Sequence, residues 1–386
     1  MIEKTDVLLC PDVGRVIIRF FSPGVQDRIE RIIGRILVLS DEAVTTELCL
    51  VMNHFASRHD QIHSVFLRHF DVVVPHLITD IPPSDERKLL IGAYFTSEYA
   101  LESAALFNPS IVLHPDQSGL EPGSARFVLS LRATGEGHVS SLEFRQGVID
   151  SNHRIEIDKP GRFAMDPERI QNPTYGKETY RAKLNELGFR NDVSQTVLGG
   201  LGEEFSLADL KDRVRRVRKP SLLHERELID TLDGMVNLAE QNYDVRFAEE
   251  HALAERVIFP RRGHERKAIE DARFVRFGED SCYYATFTAI DRNTFFPQLL
   301  RTEDFRSFRF ITLNGAGVVN KGMALFPRKI NGEYVMLSRQ DGENIFIMYS
   351  DNIHFWQEPE MIMKPSFPWT FVQLGNCGSP IETPEG

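Results

Sequence analysis

The apolar pattern Phe274-Val275-x-Phe277 breaks at Gly278-Glu279-Asp280, and a second strand-like run follows from Tyr283 to Ile290. Two extended runs joined by so short a polar break predict an antiparallel β-hairpin. This hairpin constrains the chain more than any other stretch, because it fixes which residues meet at its open end. Glu270, Asp271 and Arg273 stand at the mouth of the first strand, and Asp291-Arg292-Asn293 closes the second. A carboxylate that can donate a proton and a group that can bind an anion thereby share one end of the sheet. The plain alternative is a surface hairpin whose Asp and Arg form a rim ion pair, worth ~0–1 kcal/mol.

The same texture recurs on both sides. Phe107–Leu113, Arg126–Arg132 and Val139–Arg145 read as strands, with a polar loop over 116–123. Gly135-x-Gly137 lacks the strand–loop–helix context of a phosphate loop, and so reads as a turn. Further on, Phe308–Thr312, Asn320–Pro327, Ile345–Tyr349 and Ile353–Trp356 are strand-like. Asn331-Gly332 is a hairpin signal between Arg328-Lys329-Ile330 and Tyr334–Leu337. Short antiparallel strands in a loosely recurring unit predict a mainly β fold, a β-propeller. Ser379–Gly386 reads as a strand and a turn signal with no return strand. The last blade is therefore expected to be incomplete, through C-terminal truncation or closure by the N-terminal strand, with truncation preferred.

Two stretches break the β rhythm. After a strand over Arg15–Phe21, Ile29, Ile32, Ile33 and Ile36 recur at helical spacing, and Ser40-Asp41-Glu42 opens a second helix. A third carries Ile62, Val65, Phe66 and Phe70, and a fourth runs from Asp85 to Leu106. Residues 1–106 are thus expected to form an N-terminal α-helical cap domain, and 107–386 the propeller domain. A helical insertion is expected at about 165–250, with one helix capped by Ser206 and another over Leu228–Gln241. The first of these is basic (Lys211, Arg213, Arg215, Arg216, Arg218, Lys219), which suits a solvated face or an acidic partner. His59 and His63, four apart, have the spacing of a zinc pair on one helix face, but no third ligand accompanies them and no metal is implied.

The 386 residues carry a net charge of −11, which argues against a general nucleic-acid binder, since no broad basic face is implied. A local Arg/Lys pocket for a small anion remains compatible with it. The four cysteines are scattered, no bilayer-length apolar run occurs, and the N-terminus lacks a signal-peptide pattern, so a cytoplasmic protein without membrane contact is expected.

The order of several short motifs resembles glycoside hydrolase family 130. These are Phe107-Asn108-Pro109, Leu131-Arg132, Ser140-Ser141, Glu270-Asp271-Ala272-Arg273, Tyr283–Ala289 with Arg292-Asn293, Asn320-Lys321, Ala324–Pro327, Ile330-Asn331-Gly332 and Ser379–Thr383. The resemblance covers about 107–150 and 256–386. It implies a five-bladed β-propeller and an inverting phosphorylase that cleaves β-linked mannosides with inorganic phosphate as co-substrate, giving α-mannose 1-phosphate; no cofactor is implied. By resemblance, Asp271 is the acid, protonating the leaving oxygen through a hydroxyl of the bound mannose. Arg292, Asn293 and Lys321 would hold phosphate, and Asn108, Arg132 and Arg273 would lie near the sugar. Three departures stand out: Gly322 replaces an acidic residue after Asn-Lys, Ala272 replaces a proline, and the family's phosphate-contacting histidine would fall just past Gly386.

The chemistry is consistent with phosphorolysis. An inverting hydrolase needs a second carboxylate to activate water, whereas phosphate is already an anionic nucleophile and needs cations to position it. Lys321 and Arg292 keep their plain alternatives, as a loop lysine and a partner of Asp291. Two other functions stay open: a hydrolase using Glu270, Glu143 or Asp341, and a non-catalytic carbohydrate-binding propeller with the basic helix as a partner surface. Homo-oligomerisation is also open.

Overall fold

A computed structural model of the chain describes residues 4–170, 173–218, 226–260, 268–291, 294–376 and 378–384. Strand β1 (Val16–Phe20) leads into helices α1 (Gln26–Leu37), α2 (Asp41–Phe55), α3 (Ile62–Val73) and α4 (Asp85–Tyr94). The expected caps are present: the Ser40 hydroxyl accepts from the Ala43 amide, and the Ser84 hydroxyl from that of Arg87. Ile29, Ile33, Ile36, Val44, Phe70 and Leu90 bury a core between these helices.

The fourth helix is shorter than its sequence suggests. It ends at Tyr94, and β2 (Thr96–Ala100) pairs with β1 instead. A strand 76 or more residues upstream supplies the ladder, and no local pattern carries that information. His59 and His63 do not share a helix face either. His59 lies before α3, and its Nε2 is 2.6 Å from Glu98 Oε1. Among the described residues no group of three His, Cys, Asp or Glu could hold a metal.

The main sheet begins with β3 (Ala105–Leu113), β4 (Ala125–Thr134), β5 (Ser140–Ile149) and β6 (Ile155–Ile157). After β7 (Glu168–Arg169) and β8 (Thr174–Gly176) comes the helical block: α5 (Lys177–Glu186), α6 (Asp192–Gly199), β9 (Glu204–Ser206), α7 (Leu207–Val217) and α8 (Arg226–Gln241). Then follow β10 (Asp244–Arg246), β11 (Val257–Ile258), β12 (Ala268–Arg276), β13 (Tyr283–Asp291), β14 (Thr294–Thr302) and β15 (Ser307–Thr312). These join in the order β3-β4-β5-β12-β13-β14-β15-β10-β7, with β6 and β11 also on β5, as an 11-stranded sheet. A separate meander of β16 (Ala324–Leu325), β17 (Tyr334–Ser338), β18 (Ile345–Ser350) and β19 (Glu360–Met363) completes the β structure. The protein is mainly β with eight helices among the described residues, which include no sheet closed on itself.

The opening hairpin forms as its pattern predicts, with Arg276 paired to Tyr283 and Ala268 to Ile290. Its first strand starts earlier than expected, so Glu270 and Asp271 lie within β12 rather than at its mouth. Both faces of β13 are covered: Tyr283, Ala285, Phe287 and Ala289 enter one core and Tyr284 the other. Asn331 and Gly332 have φ of 53° and 89°, as the hairpin turn before β17 requires. Two expected strands are absent. Ile353–Trp356 gives only a bridge from Phe355 to Asn314, and β19 takes the edge position beside β18. The described part of 379–386 carries no strand.

The helical block has its own core, around Tyr180, Leu184, Leu210, Leu232 and Met235. Several cations of α7 and its C-terminal cap pair within that block: Lys211 with Glu240 at 2.7 Å, Arg218 with Asp233, and Arg215 with Asp212 at 3.0 Å. Arg213 donates to the Thr196 carbonyl at 3.1 Å. Lys219 lies outside the described residues.

A buried charge cluster ties the N-terminal segment to the sheet. Arg15 Nε lies 2.7 Å from Glu143 Oε2 and 3.2 Å from Glu102 Oε1, and Arg145 reaches the same two oxygens at 3.1 and 2.7 Å. All four side chains are at most 4% exposed. Two cations and two carboxylates balance, but removing one member leaves a charge in a dry interior. Glu143→Ala is therefore expected to destabilise the fold by about 3–5 kcal/mol, read from denaturant midpoints. A loss below about 1 kcal/mol, the range of a surface pair, would contradict this account.

Candidate functional site

The site grows from two β-bulges packed side by side. In β3, Phe107 pairs with Arg132 and Ser110 with Ser130, leaving Asn108-Pro109 outside the ladder. In β12 the register shifts between Glu270 and Arg273, leaving Asp271-Ala272 outside. Pro109 has no amide hydrogen to give a ladder, so a bulge there is favoured. Asn108 and Asp271 both take left-handed backbone, with φ of 50° and 54°. Asn and Asp tolerate that conformation better than other side chains. The bulges turn the two side chains toward each other, and Asn108 Nδ2 donates to Asp271 Oδ1 at 2.5 Å. Beneath them the Phe274 amide donates to Ser110 Oγ at 2.9 Å, locking the two strands together.

Arg132 gathers the neighbouring groups. Its Nη1 donates to Asp271 Oδ1 at 3.2 Å, its Nη2 to Glu270 Oε1, and its Nε to Ser140 Oγ at 3.0 Å. The guanidinium lies 4.8 Å over the Phe107 ring. Glu270 is buried, and burial pushes its carboxyl above the usual range. The Arg132 cation opposes that rise, the Asp271 charge adds to it, and the Lys321 ammonium opposes it.

Lys321 thus acts on Glu270, and its Nζ lies 5.3 Å over the Phe295 ring. Phe295, Phe107, Arg132, Glu270 and Ile290 line one cleft of about 630 Å³. Arg273 takes a different direction: its Nη1 donates to the Gly322 carbonyl at 2.9 Å, tying β12 to the loop that carries Lys321. Gly322 itself has φ of 91°, a conformation that L side chains rarely adopt. Arg292 and Asn293 lie outside the described residues. The structure therefore gathers Asn108, Arg132 and Asp271 by direct contact and sets Lys321 nearby.

Sequence reasoning missed the pairing of Glu270 with Arg132 and the part played by Ser140 and Phe107. Asn-Pro inside a strand pattern was the available signal for the first bulge. The three carboxylates considered for water activation separate clearly. Glu143 is fully buried between Arg15 and Arg145, which corrects its candidacy as a base. Asp341 is exposed, with Oδ1 accepting from the Glu343 and Asn344 amides. Only Glu270 lines the cleft with Arg132.

Residues 222–386 match the family model described as beta-1,4-mannooligosaccharide phosphorylase, glycoside hydrolase family 130. This match takes in a little under half of the chain. The matched segment contains Glu270, Asp271, Arg273 and Lys321; Asn108 and Arg132 reach the site from outside it. A 1,2-beta-oligomannan phosphorylase of Thermoanaerobacter sp. (strain X514) is 37% identical over 128 residues, 32% of this chain and 41% of that protein. A beta-1,4-mannooligosaccharide phosphorylase of Ruminococcus albus is 37% identical over 91 residues, 22% of this chain and 27% of that one. A beta-1,2-mannobiose phosphorylase of Listeria innocua is 24% identical over 233 residues, 59% of this chain and 58% of that one. The chain thus spans less than two thirds of the length of each of these relatives. The solved complex of the Listeria innocua phosphorylase with beta-1,2-mannobiose superposes with a TM-score of 0.35 at 17% identity, covering 75% of this chain and 67% of that one.

Asn108 offers a direct test of the bulge geometry. Asn108→Ala and Asn108→Gly both remove the hydrogen bond to Asp271, but only alanine strains the left-handed backbone. The alanine variant is expected to be less stable than the glycine variant by about 1 kcal/mol, measured by thermal or denaturant unfolding. Equal stabilities would show that position 108 carries no backbone strain.

Proposed function

We propose that the protein is an inverting glycoside phosphorylase, cleaving β-linked mannosides with inorganic phosphate to give α-mannose 1-phosphate and a shortened acceptor. The observation that carries the reading is the Asp271 carboxyl, aimed by Asn108 and Arg132 and standing beside Glu270 within range of the Lys321 cation. The names of the relatives support the substrate class. In this reading the antiparallel meanders are blades of a five-bladed propeller, residues 1–106 are its cap, and the 165–250 helices are an insertion that shapes the acceptor side. The scattered free thiols suit a cytoplasmic setting.

The reaction balances with the groups proposed. Asp271 enters protonated and gives its proton, through a hydroxyl of the bound mannose, to the leaving glycosidic oxygen. A phosphate oxygen attacks C1 from the opposite face as the C1–O bond breaks, which inverts the anomeric centre. The proton of hydrogen phosphate then restores the Asp271 carboxyl. Lys321, with Arg292 and Asn293, would hold the phosphate dianion in line; charge-assisted contacts of this kind suit a nucleophile that needs positioning more than activation. Arg132, Asn108 and Arg273 would orient the acid and the sugar. Glu270 is committed to Arg132 and buried, so it is poorly placed to activate a water, which favours phosphorolysis over hydrolysis.

The test is incubation with β-1,2- and β-1,4-linked mannooligosaccharides, with and without inorganic phosphate, assaying α-mannose 1-phosphate and free mannose. Phosphate-dependent mannose 1-phosphate is expected. Asp271→Asn should lower turnover by about 10²–10⁴-fold with the melting temperature unchanged. Lys321→Ala should raise the phosphate needed for half-maximal rate by roughly 10–100-fold, the loss of one charged hydrogen bond. Free mannose released without phosphate would instead assign a hydrolase, and saturable binding without turnover a carbohydrate-binding module.

A further inference from the structure

A second polar cavity lies away from Asp271, where the helical block folds over the sheet. Tyr284, Arg301, Arg309 and Asp244 are successive register partners across β13, β14, β15 and β10. Partners in an antiparallel ladder project on the same face, so two guanidinium groups stand side by side there, an arrangement that is unfavourable by itself. Their protein partners offset it in part. Arg309 Nε and Nη2 donate to the two Asp244 oxygens, each at 2.9 Å, and Arg301 Nη2 donates to Glu303 Oε1 at 2.9 Å. Asp280 accepts from the Tyr284 hydroxyl at 2.6 Å.

The opposite wall adds further basic groups. Lys183 on α5 is 3% exposed, and its Nζ donates to the Thr312 carbonyl at 2.6 Å, Thr312 Oγ1 at 2.9 Å and Asn242 Oδ1 at 3.2 Å. All three acceptors are neutral. His354 lies beside it, with Nδ1 buried and unpartnered among the described residues. Burial pulls the Lys183 amine down to about 7, opposed by Glu186, and pulls His354 down to about 3 with the help of the Lys183 charge. Between these walls is a cavity of about 420 Å³, also faced by Tyr175 and Tyr180. Its size falls within the ~300–1,000 Å³ of small-molecule sites.

We propose that this cavity is a second anion site, binding the phosphoryl group of inorganic phosphate or of a hexose phosphate between Arg301, Arg309 and Lys183. The oxyanion relieves the repulsion between the paired arginines and gives the buried Lys183 ammonium a countercharge. A sugar ring attached to it packs on the tyrosine faces. Lys183, Tyr175 and Tyr180 precede the segment matched by the family model, so half of the site belongs to the helical block of this chain. The site is independent of turnover at Asp271.

Calorimetric titration with inorganic phosphate and, separately, with α-mannose 1-phosphate tests it. The titrations use a Lys321→Ala background, in which phosphate contact beside Asp271 is weakened. Binding is expected to persist there and to weaken at least tenfold when Arg301→Gln is added. Arg301 is one-third exposed, so this variant should keep the parent melting temperature without ligand. Lys183→Met, which keeps side-chain length without charge, should weaken binding similarly. Tighter binding of the sugar phosphate assigns the hexose ester as ligand, and equal binding assigns the phosphoryl group alone. Unchanged affinity in Arg301→Gln, or loss of all binding in Lys321→Ala alone, would overturn the proposal. Absence of phosphorolysis would overturn the catalytic reading without affecting this result.

Discussion

The candidate site depends on one guanidinium. Glu270 and Asp271 are adjacent in sequence, yet the bulge in β12 turns both carboxyl groups to within reach of Arg132. Two acids this close, with one buried, repel each other; Arg132 is the cation that makes the pair tolerable. It is itself held on three sides, by Ser140 Oγ, by the carboxylates and by the Phe107 ring. A lysine could offset the charge but not present three directed donors in a plane. The left-handed backbone at Asn108 and Asp271, a cost of order 1 kcal/mol at each, persists because these contacts over-determine it.

Arg132 in turn depends on how the strands beneath it are anchored. Ser140, which it touches, opens β5 and makes a parallel bridge to Ala268 at the start of β12. Three residues along β5, Glu143 enters the buried cluster with Arg15, Glu102 and Arg145. The N-terminal segment, remote in sequence, therefore bears on the strand that sets Arg132 and the start of β12. Such a cluster contributes little net stability over an apolar substitute, but it accepts only one register. Register is what a two-bulge site needs, since a slip of one residue would send Asp271 to the other face.

Much of this architecture was legible because it is local. The hairpin of β12 and β13 follows from a two-residue period around a polar break, Asn331-Gly332 from a turn that needs positive φ, and α1 to α3 from helical spacing and caps. The failures have one physical cause. The stretch beyond Tyr94 and the run Ile353–Trp356 are each compatible with more than one element, and distant partners decide between them. At 96–100 the partner is β1; at 353–356 Trp356 sinks into the core and β19 takes the edge. In the site, motif order singled out Asn108, Arg132 and Asp271, and the fold brings these three side chains into contact. The contact of Arg273 with the Gly322 carbonyl and the burial of Glu270 are tertiary properties that no motif encodes.

The departure at Gly322 shows the same dependence on backbone. A residue at φ of 91° whose added Cβ would lie 3.3 Å from Asn376 Oδ1 resists an acidic side chain on two counts. Its carbonyl is used instead, as the acceptor that joins Arg273 to the loop of Lys321. Along β15, the helical block is attached by comparably directional contacts. The Lys183 amine reaches Thr312 and Asn242, and Tyr243 stacks on Phe310 with ring centroids 4.4 Å apart. An apolar seam alone would let the block slide, whereas a buried amine with three acceptors fixes its angle. The same amine is what makes the adjoining cavity basic, so the contact that orients the helices over the sheet also decides which ligands the seam can accept.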